Sequence, residues 1–99
     1  MILTATEAKD MLMLDPETDY PQLAIVLPAI DEYIKAATGF DWGTTTTEYP
    51  TIDPVAKMAA SILLSQWYFN PLEMGKENYA VVGFVGQLQA KKLPREVSS

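Results

Sequence analysis

Apolar residues recur along this chain at the three-and-four spacing of helices rather than the alternation of strands. In the opening LTATEAKDML, Thr4 and Glu7 stand at the spacing of a capping box, and Ala8, Met11 and Leu12 form one stripe, which predicts a first helix over residues 5–13. The stripe is short, so this helix must lean on others. The following DPETDYP carries two prolines and three acidic residues and reads as a loop; it ends in Asp19, expected to cap the next helix with Gln22 at the reciprocal position. Over residues 20–38, Leu23, Val26, Leu27, Ile30, Ile34 and Ala37 make a nearly unbroken apolar face, and Gly39 follows where a left-handed C-cap belongs. Pro28 lies inside this helix and predicts a kink or a break near residues 24–28. Ile25, Ala29 and Ala36 form a weaker stripe off the main face. They are either scattered surface residues or a contact with another copy.

Residues 40–52 change character. Phe40, Trp42, four consecutive threonines at 44–47, Glu48, Tyr49 and Pro50 predict a long loop or a small hairpin. Its aromatics either meet a partner or tuck back over the core. Asp53-Pro54 then gives a strong helix start, and Asn70-Pro71 a clean stop. Between them lies a third helix, over residues 53–70, whose polar positions Lys57, Ser61 and Ser65 leave one narrow edge. A helix apolar nearly all round must be covered by other helices, by a neighbouring subunit, or by both. PLEMGKENY is a polar loop. In VVGFVGQLQAKKL, Gly83 and Gly86 weaken a helix while Val81, Val82 and Val85 tolerate a strand; a last helix is expected over residues 83–92 with Leu88 three residues after Val85, and Pro94 marks its end. The pattern predicts an all-α fold: a small bundle of about four helices, one domain over residues 1–93, with a long loop between the second and third helices and a flexible tail at 94–99.

Composition narrows the chemistry. A chain of 99 residues supports one modest core, and no apolar run approaches the ~20 residues of a membrane span. The N-terminal residues lack the pattern of a signal peptide, so a cytoplasmic protein without membrane contact is expected. There is no cysteine and no histidine, which removes disulfides, thiol nucleophiles, the usual zinc ligands and the commonest general base. Asp31 and Glu32 are helix neighbours that point apart, Asp15 and Glu17 lie in a solvated loop, and DPETD has neither the length nor the glycine of a calcium loop. Gly83 and Gly86 lack the lysine of a phosphate loop, and no serine has an activating base. No catalytic, cofactor-binding or metal-ligating residue is therefore assigned, and the expectation is that the chain is not an enzyme.

The net charge of −6 disfavours a protein that grips phosphates, and no helix has the basic, polar face of a DNA-recognition helix. Lys91, Lys92 and Arg95 gather at the end of the last helix, where cations favour the negative end of its dipole. Trp67, Tyr68 and Phe69 could form a stacking platform. Three successive helical residues cannot share one face, so one or two belong in the core and another can reach a neighbour.

Taken in order, LTATEAKDMLML before an acidic Asp-Pro loop, the helix ending IDEYIKAATGF, and IDPVAKMAASILLSQWYFNPLE resemble the small head-tail connector proteins of tailed bacteriophages. The last stretch is similar to that family's apolar helix leading to Trp-Tyr-x-Asn and a short polar turn. Pro71 departs from the pattern, which often has a basic residue there, and the threonine-rich loop matches no part of it. The resemblance implies a structural virion subunit that forms a homo-oligomeric ring beneath the phage portal and meets a tail or stopper protein. It extends a channel through which DNA passes without specific binding, an acidic wall repelling rather than holding it. It also implies localisation in the virion, after assembly in the host cytoplasm. A ring needs two different surfaces per subunit. The candidates for subunit or portal contact are Ile25 with Ala29, the loop residues Phe40, Trp42 and Tyr49, Tyr68 at the end of the third helix, and Arg95 in the tail. The alternative function is a small helical regulatory module that binds one protein partner.

Overall fold

Asp53 organises the longest apolar stretch of the chain. Its Oδ1 accepts the amide of Val55 at 2.8 Å, and Pro54, at the first helical position, loses no hydrogen bond there. In the computed structural model, which describes residues 1–45, 47, 50–76 and 79–91, the helix that follows, α3, spans Pro54–Phe69. The other helices are α1 (Ala5–Met11), α2 (Leu23–Thr38) and α4 (Tyr79–Lys91), and Pro71–Glu73 form one 3-10 turn. No strand occurs among the described residues, so the fold is all-α.

The first helix opens on the expected capping box. Thr4 Oγ1 accepts the Glu7 amide at 3.1 Å, and Glu7 Oε1 accepts the Thr4 amide at 3.0 Å. It stops two residues short of the expected Met13, because Met13 turns left-handed at φ 58°. The amides of Met13 and Leu14 then close back on the carbonyls of Asp10 and Lys9 at 3.2 and 2.8 Å, which satisfies the helix end without a glycine.

Two expectations for α2 need correction. Asp19 does not cap it. The helix starts at Leu23, and the Gln22 side chain donates to the carbonyl of Tyr68 at 2.7 Å rather than turning back to Asp19. Of the kink or break expected at Pro28, the break does not occur, since the helix is continuous from Leu23 to Thr38. Gly39 closes it in the left-handed region at φ 77°, as expected.

The bundle forms around α3. Its buried face is Ala56, Ala59, Ala60, Leu63, Leu64 and Trp67, and the three alanines let neighbouring helices approach closely. Against it pack Val26, Ile30 and Ile34 of α2, Val81 and Leu88 of α4, Ala8 of α1, and Ile2 and Leu3 ahead of α1. The Gln22–Tyr68 bond sets the start of α2 beside the end of α3. An ion pair of Lys91 Nζ with Asp53 Oδ2 at 2.7 Å sets the end of α4 beside the start of α3. Each therefore runs antiparallel to α3, and α2 and α4 run parallel to each other, joined where Gln89 Nε2 donates to the Ala37 carbonyl at 2.6 Å.

α4 begins one turn before the expected residue 83. Burial of Val81 and Leu88, with Phe84 and Val85 half-buried beside them, outweighs the roughly 0.5–1 kcal/mol that each of Gly83 and Gly86 costs a helix. The expected end near Lys92 and Pro94, and the tail at 94–99, lie outside the described residues. Residues 39–53 contain no regular element among those described. The start of this connection folds back on the core: Trp42 is buried, its Nε1 donates to Thr38 Oγ1 at 3.0 Å, and the Phe40 ring meets it edge-on at 4.8 Å.

Candidate functional site

Most polar side chains near the helix ends already serve the fold. Glu7 Oε2 lies 2.6 Å from Lys57 Nζ, so Lys57 is half-buried against α1 rather than part of a free edge. The Lys57 ammonium, helped by the Thr4 amide, holds the Glu7 carboxyl below its ordinary range. Asp31 Oδ1 accepts the Ile2 amide at 3.1 Å, and its Oδ2 lies 4.0 Å from the Met1 amino group, which donates to the Gly43 carbonyl at 2.9 Å. A Cβ at Gly43 would sit 3.1 Å from Asp31 Oδ2, the Ile2 nitrogen and the Met1 Cα, so any larger residue there presses on this contact. Among the described residues no group of three His, Cys, Asp or Glu side chains converges as a metal site. None of their buried polar side-chain atoms lacks a hydrogen-bond partner.

What is left open is apolar surface. Leu72 is 89% exposed, Tyr79 87%, Ile25 63%, Phe69 62% and Met58 51%. Met13, at 92%, and Met1, Met11 and Val82 are exposed as well; Leu72, Tyr79, Ile25 and Phe69 lie on elements that meet at one end of the bundle: the 3-10 turn, the start of α4, the start of α2 and the end of α3. Two grooves accompany them. One, of about 310 Å³, runs between α2 and α4 and is lined by Tyr33, Ala37, Val82, Val85, Gly86 and Gln89. Its floor rests on α3, where the Tyr33 ring meets Trp67 edge-on at 5.4 Å. The other, of about 410 Å³, lies between α1 and the start of α2, with Leu23, Ala24, Leu27 and Pro28 on one wall and Lys9 and Asp19 among its lining residues.

The expected contact residues divide. Ile25 is exposed on the outward side of α2, whereas Ala29 is half-buried against the core. Trp42 is a core residue, and Phe40 is half-buried beside it; the described part of the loop thus takes the core-covering role. Tyr68 is half-buried, its ring edge-on to Phe69 at 5.3 Å. Tyr49 and Arg95 lie outside the described residues. The structure brings Tyr68 and Ile25 to the same end of the bundle, and leaves Phe40 and Trp42 at the other.

The exposed side of α3 is also one stripe over from the expected Lys57, Ser61 and Ser65. It is Met58, Ser65 and Phe69, with Ile62 half-buried between them. Composition hid this. Serine reads as surface and methionine as core, although Met58, Ile62, Ser65 and Phe69 share one helical face by spacing. The α2–α4 groove went unforeseen because only packing aligns two parallel helices.

Fold and surface together define a small all-α bundle with uncovered apolar faces. Comparison with protein-family models, with curated proteins and with solved structures finds no match to this chain.

Proposed function

We propose that the chain is an assembly subunit rather than an enzyme: a structural virion protein that forms a ring beneath a phage portal and joins the DNA-filled head to the tail. The observation that carries this reading is the surplus of exposed apolar side chains on a folded bundle. Phe69, Leu72, Tyr79 and Ile25 are each more than half exposed, and apolar side chains gathered in the open at one end of a bundle mark interaction sites. The resemblance of the third-helix stretch to the connector family supplies the kind of assembly. In that assembly the partners are further copies of the chain, the portal, and a tail or stopper protein, and DNA passes through the ring without specific binding. The acidic net charge of −6 suits such a conduit. The protein works in the virion, having been assembled in the host cytoplasm.

Electron microscopy of the purified protein mixed with a portal tests the reading. A ring seated on the portal is the expected result. A portal that never recruits the chain defeats the adaptor role, and a stable dimer indifferent to the portal favours a regulatory module binding one protein partner.

A further inference from the structure

Residues 1–3 precede the first helix yet are built into the fold. Ile2 and Leu3 are each only 1% exposed and belong to the core, although neither lies in a helix. Polar contacts on two sides fasten this short segment. Asp31, in the middle of α2, accepts the Ile2 amide at 3.1 Å, and the Met1 amino group donates to the Gly43 carbonyl at 2.9 Å. The segment therefore joins α2 to the start of the 39–53 connection. A Cβ at Gly43 would stand 3.1 Å from both the Ile2 nitrogen and the Met1 Cα, so main chain packs directly on main chain there. Trp42, the residue before, is buried and held to the end of α2 through Thr38 Oγ1.

The fastening at Asp31 works partly against itself. Its carboxylate is half-buried, and the charged groups acting on it are the Met1 amino group, 4.0 Å from Oδ2, Asp41 on the connection and Glu32 beside it on α2. Asp41 is fixed in place, since it accepts the Gly43 amide at 3.0 Å and the Thr44 hydroxyl at 2.9 Å, and Lys35 acts on Asp41 from α2. Burial and two like charges outweigh one amide and one opposite charge, so the ionised carboxyl is held less favourably here than in water. A short segment outside the helices, fastened by few hydrogen bonds, belongs to the part of a protein that opens first.

We propose that residues 1–3 are a strap over the start of the 39–53 connection, with Asp31 as its catch, and that strap and connection open as one unit while the rest of the bundle stays folded. Opening returns the Asp31 carboxylate to water and uncovers Ile2, Leu3 and the Trp42 ring, an apolar surface that the closed form hides. The direction with pH follows from the groups around Asp31. The closed form holds the Asp31 proton more tightly than the open form. The stability this gives the strap is complete below the open-form value near 3.8 and is lost as pH rises through the higher closed-form value. The strap is thus loosest at neutral pH and tightens in acid. It stands apart from the assembly reading and does not depend on it.

The two tryptophans of the chain supply the readout, since Trp42 lies beside the strap and Trp67 is buried on α3. Hydrogen exchange of both indole N–H groups and of the Ile2 amide is followed by NMR at low protein concentration, at pH 7, across low urea. Ile2 and Trp42 are expected to lose protection together and ahead of Trp67, with a weaker dependence on urea because their opening exposes little surface. Asp31→Asn keeps an acceptor for Ile2 without the charge. It is expected to slow both exchanges several-fold at pH 7, with the difference from the parent chain shrinking toward pH 3. Ile2→Ala trims the strap alone and is expected to quicken Trp42 exchange several-fold; should I2A not fold, Leu3→Val makes the same test more gently. Trp42 and Ile2 exchanging only in step with Trp67, at the same urea dependence, overturns the proposal. So does Trp42 exchange that a folded strap variant leaves unmoved. A D31N chain whose strap opens more readily than the parent's at pH 7 overturns Asp31 as the catch.

Discussion

Asp53 and Asp31 are both partly buried, yet their surroundings push their ionisation in opposite directions. At Asp53 burial alone would raise the pKa, but the Lys91 ammonium and the amides of Val55 and Ala56 outweigh it, so the folded value lies below the ordinary one. At Asp31 burial wins over the Ile2 amide and the Met1 amino group, and Asp41 and Glu32 add to it, so the folded value is raised. The signs follow. The contribution of Asp53 is present above the unfolded value near 3.8 and is lost as pH falls through the lower folded value; that of Asp31 is present below 3.8 and lost as pH rises through the higher one. Asp53→Ala should cost about 1–2 kcal/mol at pH 7, mostly through the helix cap, since Lys91 is partly exposed. Asp53→Asn should cost less. Asp31→Asn keeps an acceptor for Ile2 and should be at least as stable as the parent at pH 7, with its advantage shrinking toward pH 3. Urea unfolding at several pH values checks both; a D31N chain less stable at pH 7 than at pH 3, relative to the parent, would reverse the assignment.

At the scale of elements, legibility depended on whether the deciding chemistry was local. Asp53-Pro54, Asn70-Pro71, Gly39 and the Thr4–Glu7 box act within a turn of themselves, and each fixed a helix end that the structure keeps. Gln22 misled because its amide goes to Tyr68, 46 residues away, and no local rule anticipates that partner. Met13 misled because it adopts a conformation that usually asks for glycine. In the candidate site, Ile25 was legible as an apolar residue off the main stripe. Trp42 was not, since whether an aromatic in a loop covers the core or meets a partner depends on Thr38 being there to receive its Nε1. α4 is where sequence and fold disagree most, and its glycines give a test. Gly83→Ala should stabilise the isolated chain by about 0.5–1 kcal/mol, because the new methyl meets nothing and the unfolded chain loses freedom. Thermal unfolding at low protein concentration measures this; a drop in stability would mean that Gly83 has a packing role within the monomer.

For the whole molecule, the balance is between apolar faces that favour contact and a net charge of −6 that opposes it. Salt screens the repulsion between copies but leaves apolar burial intact, so association should tighten between 50 and 500 mM salt, a range over which the Debye length falls from roughly 14 to 4 Å. Assembly through ion pairs would weaken over the same range. The central claim, that this chain completes its apolar surface with further copies of itself, is tested most directly by the mass of the particle in solution. Light scattering across concentration should show 11.0 kDa subunits giving way to a closed species of more than two copies, and earlier when portal is present. A particle that stays a monomer, or stops at two, at every concentration and with portal added would contradict it.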